Sequence, residues 1–420
     1  MIERREIQES EKGLLHSKQA FRYEVVKVLP ELAEDLDKVF DYAKPFGNFR
    51  LAWIDTDIVE SSRDTTATAL GGSFGFDTAS LNGFSLHVSA HTSQKIPLLN
   101  PATLTLNGDY FNKDKDSFTY LAESSIDYED ENFYLRIGRI KIDTPYADSD
   151  DIRMAANTFE GVWTEYKMTP ELSFQGYYLS RWAGYDSGEA QDVFKRLYET
   201  QEVDESWGAL GASAKFAFNS DDEVSLWYYH VDKMSDIIYS EVSGHYHVNE
   251  ALHVEYGFQA SHIQENDASH IAGDILGCMA IVDYGDFFFG FAGNYAFVDD
   301  ENFITNGFGG GPYYTSLDES TIGFISEISP GMDVLSSRVG IGAKLASMGV
   351  ADLTIELVHG QLSATDRSNF IKENDIALTY EPNARTALSA VFANFDVIES
   401  QSQSDSDDFN RFIVRADYSF

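Results

Sequence analysis

Arg411-Phe412-Ile413-Val414-Arg415-Ala416-Asp417-Tyr418-Ser419-Phe420 is the stretch whose reading decides the fold. Phe412, Val414, Ala416, Tyr418 and Phe420 alternate with Arg411, Ile413, Arg415, Asp417 and Ser419, so an extended backbone sends a greasy row and a charged row to opposite sides. Such a strand is half wet. The same design stands in 83–94, where Phe84, Leu86, Val88 and Ala90 alternate with Ser85, His87, Ser89 and His91. Period two continues, less purely, through 46–57, 67–79, 117–128, 132–142, 159–168, 171–181, 206–219, 222–232, 236–248, 252–265, 272–282, 287–298, 335–347, 351–363, 373–381 and 385–397. These are about 18 strands, most of them close to the roughly 9 to 11 residues a tilted strand needs to cross a bilayer.

The connections sharpen the reading. Short turns at Ser80-Leu81-Asn82, Glu129-Asp130-Glu131, Thr169-Pro170, Ser220-Asp221, Asn249-Glu250, Tyr284-Gly285-Asp286, Met348-Gly349-Val350 and Pro382-Asn383-Ala384 alternate with mostly longer connections. The largest of those are 95–116, 143–158, 182–205 and 299–334, while Asp232–Ser235 and Asn266–His270 are too short to add support. A barrel whose two ends face different compartments has a reason for this asymmetry, and a sandwich or propeller has none. The expected fold class is all-β: a transmembrane antiparallel β-barrel of about 18 strands, with short periplasmic turns and long extracellular loops. The terminal aromatics Tyr418 and Phe420 resemble the C-terminal signal by which bacterial outer-membrane barrels are recognised for insertion.

Composition agrees by exclusion. Among 420 residues, 69 Asp+Glu against 30 Lys+Arg leave a formal charge of −39, which argues against nucleic acid as a partner. One cysteine, Cys278, excludes an intrachain disulfide framework and a cysteine zinc site. Mean hydropathy is −0.28, and no run approaches the roughly 18 apolar residues of a spanning helix. The start, Met1-Ile-Glu-Arg-Arg-Glu, has no apolar core of a secretory signal, so for an exported protein the export signal is expected to be missing from this chain or the start to have been altered. Residues 1–45 are charged and are expected to form an N-terminal extension, partly helical or disordered, before a barrel domain at 46–420. Within the extension Leu32, Leu36, Val39, Phe40 and Ala43 recur at helical spacing and predict a short amphipathic helix ending before Pro45.

One loop carries a family likeness. Gly138-Arg139, Asp143-Thr144-Pro145-Tyr146, Asp148-Ser149-Asp150-Asp151-Ile152-Arg153 and Thr158-Phe159-Glu160-Gly161 resemble the third-loop series of the OprD-type outer-membrane porins, and Gly309-Gly310-Gly311-Pro312-Tyr313-Tyr314-Thr315 is a second family-like stretch. The resemblance implies an 18-stranded channel for small carboxylates or amino acids, with the third loop folded into the pore. It covers about Phe46 to Phe420 in strand and loop order, and residues 1–45 fit no part of it.

On its own residues the loop is a candidate eyelet. Asp143, Asp148, Asp150 and Asp151 crowd around one Arg153, and several carboxylates within about a Debye length would sort ions in a narrow lumen. The bland alternative is a solvated acidic surface loop. Parity sends Arg411 and Arg415 to the lumen, because an arginine on the lipid face near the midplane would cost roughly 2 to 4 kcal/mol. Arg50, opposite Phe49, Leu51 and Trp53, joins them if the first strand pairs with the last. Arg338, Lys344 and Arg136 are the remaining candidate lumen cations. His87 and His91 share a face, but solvated lumen histidines are the commoner reading, and no metal or cofactor is assigned.

No nucleophile elbow, zinc-protease or phosphate-loop motif is present, and no enzymatic activity is expected. The function expected is passive diffusion of small hydrophilic solutes across a Gram-negative outer membrane, among lipid and lipopolysaccharide, with a homotrimer as one assembly. The rivals are a non-conducting surface or adhesive barrel and a soluble acidic all-β carbohydrate-active protein.

Overall fold

Alternation of greasy and wet rows is stable only if every strand edge is paired, because an open edge in hydrocarbon leaves backbone groups without partners. The computed structural model resolves this by closure: Leu51 pairs with Leu70 of the second strand on one side and with Ala416 of the last strand on the other. The structure describes residues 15, 31–59, 64–188, 190–198, 206–249, 251–349, 352–366, 369–399 and 408–420.

The wall runs β1 (Lys44–Ile58), β2 (Thr65–Asp77), β3 (Phe84–Lys95), β4 (Phe118–Glu129), β5 (Phe133–Ile140), β6 (Thr158–Lys167), β7 (Leu172–Ala183), then a two-residue β8 (Lys195–Arg196). It continues β9 (Ala209–Ala217), β10 (Asp222–Val231), β11 (Ser235–Asn249), β12 (Leu252–Glu265), β13 (Gly273–Tyr284), β14 (Phe287–Phe297), β15 (Val334–Lys344), β16 (Leu353–Ala364), β17 (Asn369–Asn383), β18 (Thr386–Glu399) and β19 (Phe409–Ser419). Each long strand pairs antiparallel with its sequence neighbours, and β7 pairs directly with β9, leaving β8 as a flap on the end of β7. The result is a closed 18-stranded barrel with one extra short strand. The structure differs from the expected segments mainly at β17, which starts at Asn369 rather than 373, so the loop before it is correspondingly short.

Parity sets the two faces. On β14, Phe287, Phe289 and Phe291 are exposed to the lipid side while Phe288 and Ala292 are buried inside. On β19, Phe412, Val414, Tyr418 and Phe420 face out, and Ile413, Arg415 and Asp417 are buried inside. Backbone bonds between Gly47 and Phe420 close the seam at the periplasmic end, where the Phe420 ring lies 5.6 Å from Phe49.

The interior is filled by loops as well as by the wall. The third loop, 141–157, and the seventh, 298–333, both turn inward: Tyr146, Ile152, Arg153 and Met154 of the first and Ile304, Phe308, Tyr313 and Leu317 of the second are buried. Inward-facing glycines make the room. A side chain at Gly360 would strike Leu317, and one at Gly257 would strike the Tyr314 phenol. Seating a leucine in this way contributes about 1.5 to 3 kcal/mol.

Before the barrel lies α1 (Leu36–Asp41), capped by Asp35, whose carboxylate accepts the Lys38 amide at 3.1 Å. It is shorter than the apolar spacing from Leu32 to Ala43 predicts, because only Val39 is covered; Leu32, Leu36 and Phe40 stay exposed. The helix is tied to the β2–β3 turn by the Ala79 amide, which donates to the Val39 carbonyl.

Candidate functional site

Four arginines meet where the third loop touches the seam between β1 and β19. Arg50 faces Asp417 across the β1–β19 ladder, and Arg415 lies two positions further along β19 on the same face. Both are buried, at 3% and 1% exposure. Arg50 grips Asp151 with two parallel bonds of 2.6 and 2.8 Å, the fork-on-carboxylate geometry guanidinium is built for, and its Nε donates to Asp417 at 2.7 Å. Arg415 donates to Asp417 at 2.6 Å and to the Asp151 carbonyl at 2.8 Å. Burial would raise the Asp151 carboxyl, but Arg50 above all, and Arg415 after it, hold it well below the usual carboxylate range.

A second storey lies toward the extracellular end. Arg153 of the third loop and Arg411 of β19 share Glu319, which the seventh loop delivers, at 3.0 and 2.5 Å. Asp109 of the second loop lies 3.8 and 3.6 Å from the same two arginines. Arg411 also donates to Thr56 of β1 at 3.1 Å, and Arg153 sits over the Tyr185 ring of the fourth loop. Burial opposes ionisation of Glu319, yet Arg411 and Arg153 pull its pKa down.

Next to Glu319 the charges lose their balance. The Glu319 amide and the Ser320 hydroxyl both donate to Glu373, but among the described residues the carboxylates of Asp318 and Asp375 meet no well-aligned hydrogen-bond donor. Burial, and then the Glu319 charge, push Asp318 up to about 7.

Above the upper storey opens a vestibule of about 580 Å³ walled by Thr56, Phe324, Phe395 and Phe409, with Asp109, Glu319 and Arg411 among its lining. The space around Arg50, His91, Lys141 and Asp151 is only about 10 Å³, near the room one water needs. Arg411 thus lines the wide vestibule and Arg50 the tight space.

The structure brings Arg50, Arg411, Arg415, Asp151 and Arg153 together and disperses the other sequence-predicted residues. Asp143 is exposed and accepts from Ser149 at 2.7 Å. Asp148 is buried and accepts from the Gly310 amide at 3.4 Å, and Asp150 is packed against Gly310 in a left-handed backbone conformation. Those two aspartates knit the third loop to the seventh. Pro145 is half-buried at the loop's departure, and the Tyr146 hydroxyl bonds Ser261 at 2.7 Å within a nest of Tyr229, Tyr239 and Tyr313. Arg136 binds Asp127 on the neighbouring strand at 2.6 Å. Arg338 donates to the Ser316 carbonyl at 3.0 Å, and Lys344 reaches the Phe288 ring at the periplasmic rim. His87 bonds Asp77 and lies 3.2 Å from Glu123, while His91 is buried against Tyr120. Asp109, Asp318, Glu319, Glu373 and Asp375 escaped sequence reading. Only the Gly309–Gly311 run hinted that the seventh loop, which carries two of them, packs tightly.

A family model described as outer membrane porin, OprD family, matches residues 53–289, more than half of the chain. The fold is similar to that of Pseudomonas aeruginosa OpdK, solved with vanillate, at a TM-score of 0.75 and 16% identity over 91% of this chain and 99% of that one. It is also similar to P. aeruginosa OccK9 (OpdG) at 0.76 and 14%, covering 91% and 100%, and to Acinetobacter baumannii OccAB4 at 0.74 and 14%, covering 90% and 98%. No curated protein sequence matches.

Proposed function

The chain belongs to the OprD family of outer membrane porins, and on that premise we propose that small solutes bearing a carboxylate cross it by exchanging with the carboxylates that hold the arginine row. The protein lies in the outer membrane of a Gram-negative bacterium and passes small solutes by diffusion through its lumen. The observation that carries the finer reading is Asp151 in the fork of Arg50 and Glu319 between Arg153 and Arg411: each is a carboxylate already resting where a solute carboxylate would rest. A passing anion then trades partners stepwise, and no guanidinium is stripped bare, which would be costly in a buried setting.

Asp318 and Asp375, which meet no well-aligned donor among the described residues, add a place for an ammonium group, so amino acids fit the pair of subsites as well as simple carboxylates do. The complex of OpdK with vanillate, itself a small carboxylate, is in keeping with this chemistry. In this reading Asp143, Pro145, Tyr146, Asp148, Asp150, Asp151 and Arg153 form the constriction loop, Arg136, Arg338 and Lys344 are supporting lumen cations, and Tyr418 and Phe420 serve recognition during insertion. The barrel domain is 46–420 together with Lys44 and Pro45, which open β1, and what precedes it is an extension most of which lies outside the described residues; the outward face meets lipid and lipopolysaccharide. A homotrimer would cover part of that face and would show as threefold mass in mild detergent.

Liposome swelling with a monocarboxylate, its uncharged amide and the matching amine tests the proposal. Arg411→Ala with Arg415→Ala is expected to slow the carboxylate selectively. Equal change for all three solutes, or none, would refute it.

A further inference from the structure

The β11–β12 hairpin carries a pair of histidines at the periplasmic mouth, away from the arginine row. His247 of β11 and His253 of β12 are directly opposite in the ladder, next to the register shift between His247 and Asn249. Their Nδ1 atoms face each other 2.5 Å apart, and the rings stand nearly perpendicular, with 80° between planes and 4.7 Å between centroids. Parity points both inward, because Tyr246 and Val248 on either side of His247, and Phe258 of β12, are exposed on the outer face. The β10 ladder ends with Asp222 opposite Gly244. β11 therefore runs on past its neighbour, and His247 is exposed to water.

Two ring nitrogens this close hold a single proton between them, since one must donate and the other accept. With both rings neutral, the same two lone pairs are ligands that divalent nickel, copper and zinc favour. Bonds of about 2.0 to 2.1 Å to one ion would set the nitrogens roughly 3 to 3.4 Å apart. A small rotation of the two rim side chains supplies that opening. The surroundings have the right sign for a cation. On the same inward face Glu255 lies opposite His245, two residues further from the turn, and Asp283 of β13 lies opposite His253.

We propose that His247 and His253 form a two-nitrogen docking site for a divalent transition-metal ion at the inner rim of the periplasmic mouth. Among the described residues no set of three or more His, Cys, Asp or Glu is poised around one metal position, so water fills the rest of the coordination shell. Structural sites are closed by four protein ligands, and a site that keeps water exchanges its ion. The ion also ties β11 to β12 beyond the last residue that β10 supports.

Nickel chloride titrated calorimetrically into the detergent-solubilised full chain, carrying no affinity tag, tests the site. His247→Gln and His253→Gln keep a polar side chain on the rim, and the folded barrel band on an unheated gel checks that both variants fold. Once one imidazole holds the ion, the second binds it within the same molecule. Either variant should therefore weaken the tightest Ni²⁺ step at least about tenfold. His262→Gln, which removes an exposed histidine paired with Asp274, should leave that step unchanged. Ca²⁺, which takes oxygen ligands, should bind the parent and all variants alike. An Ni²⁺ affinity unmoved by His247→Gln or by His253→Gln would overturn the site and leave the pair as a shared-proton contact. An equal loss from His262→Gln, or a parallel loss of Ca²⁺ binding, would overturn it as well.

Discussion

Asp151→Asn removes one negative charge from beside Arg50 and Arg415 while keeping the side chain's shape and one acceptor for Arg50. Asp151 is the member of its cluster that water reaches: its side chain is 25% exposed against 4% for Arg50 and 1% for Arg415. Both arginines retain Asp417, so the barrel should fold. A permeating ion about 4 Å away feels the uncompensated charge as roughly 1 kcal/mol in water-like dielectric. Screening in about 0.1 M salt trims this by about a third, to roughly 0.7 kcal/mol. The same amount helps an anion and hinders a cation, so their permeability ratio should move by about 1.4 kcal/mol, close to tenfold toward anions. Reversal potential across a salt gradient reads this directly. Asp150→Asn is the control, because that side chain packs against Gly310 of the seventh loop, and it should change the ratio less than about twofold. A ratio unmoved by Asp151→Asn, or equal shifts from both variants, would refute the placement of Asp151 beside the path.

Asp318, raised to about 7 by burial and then by Glu319, binds its proton more tightly in the folded protein than in an unfolded chain. Stability from this group is therefore fully present below the ordinary aspartate range, near pH 4, and declines as pH rises toward 7. Raising pH from 5 to 8 should also shift selectivity toward cations, and Asp318→Asn should abolish that part of the shift in reversal-potential titrations. Val414→Arg, on the lipid face one residue from the lumen-facing Arg415, should destabilise the barrel by roughly 2 to 4 kcal/mol if it lies near the midplane, read from urea unfolding in vesicles. Gly360→Leu should drive Leu317 off the wall and expose the seventh loop to protease at an overpacking cost of about 1 to 3 kcal/mol. The folded barrel band on an unheated gel should persist.

Strand parity made the wall legible. In β19 every second residue from Arg411 to Asp417 faces inward, as alternation with Phe412 and Val414 requires, and the placing of Arg50 beside them follows once β1 meets β19. The third loop was legible through its acidic series, but its aspartates part company: Asp151 turns to the arginines, and Asp148 and Asp150 turn to the seventh loop. Periodicity says nothing about loops, whose side chains follow no repeat.

Sequence by itself thus determined which residues touch hydrocarbon and which touch the lumen, because successive side chains of an extended chain point to opposite sides and charge cannot lie against lipid. Only the tertiary structure decided which acids meet which bases. Arg153 and Glu319 lie 166 residues apart and Arg50 and Asp151 lie 101 apart, and they meet because the closed wall confines inward-folded loops to one narrow space. There the cost of an unpaired buried charge selects the partners.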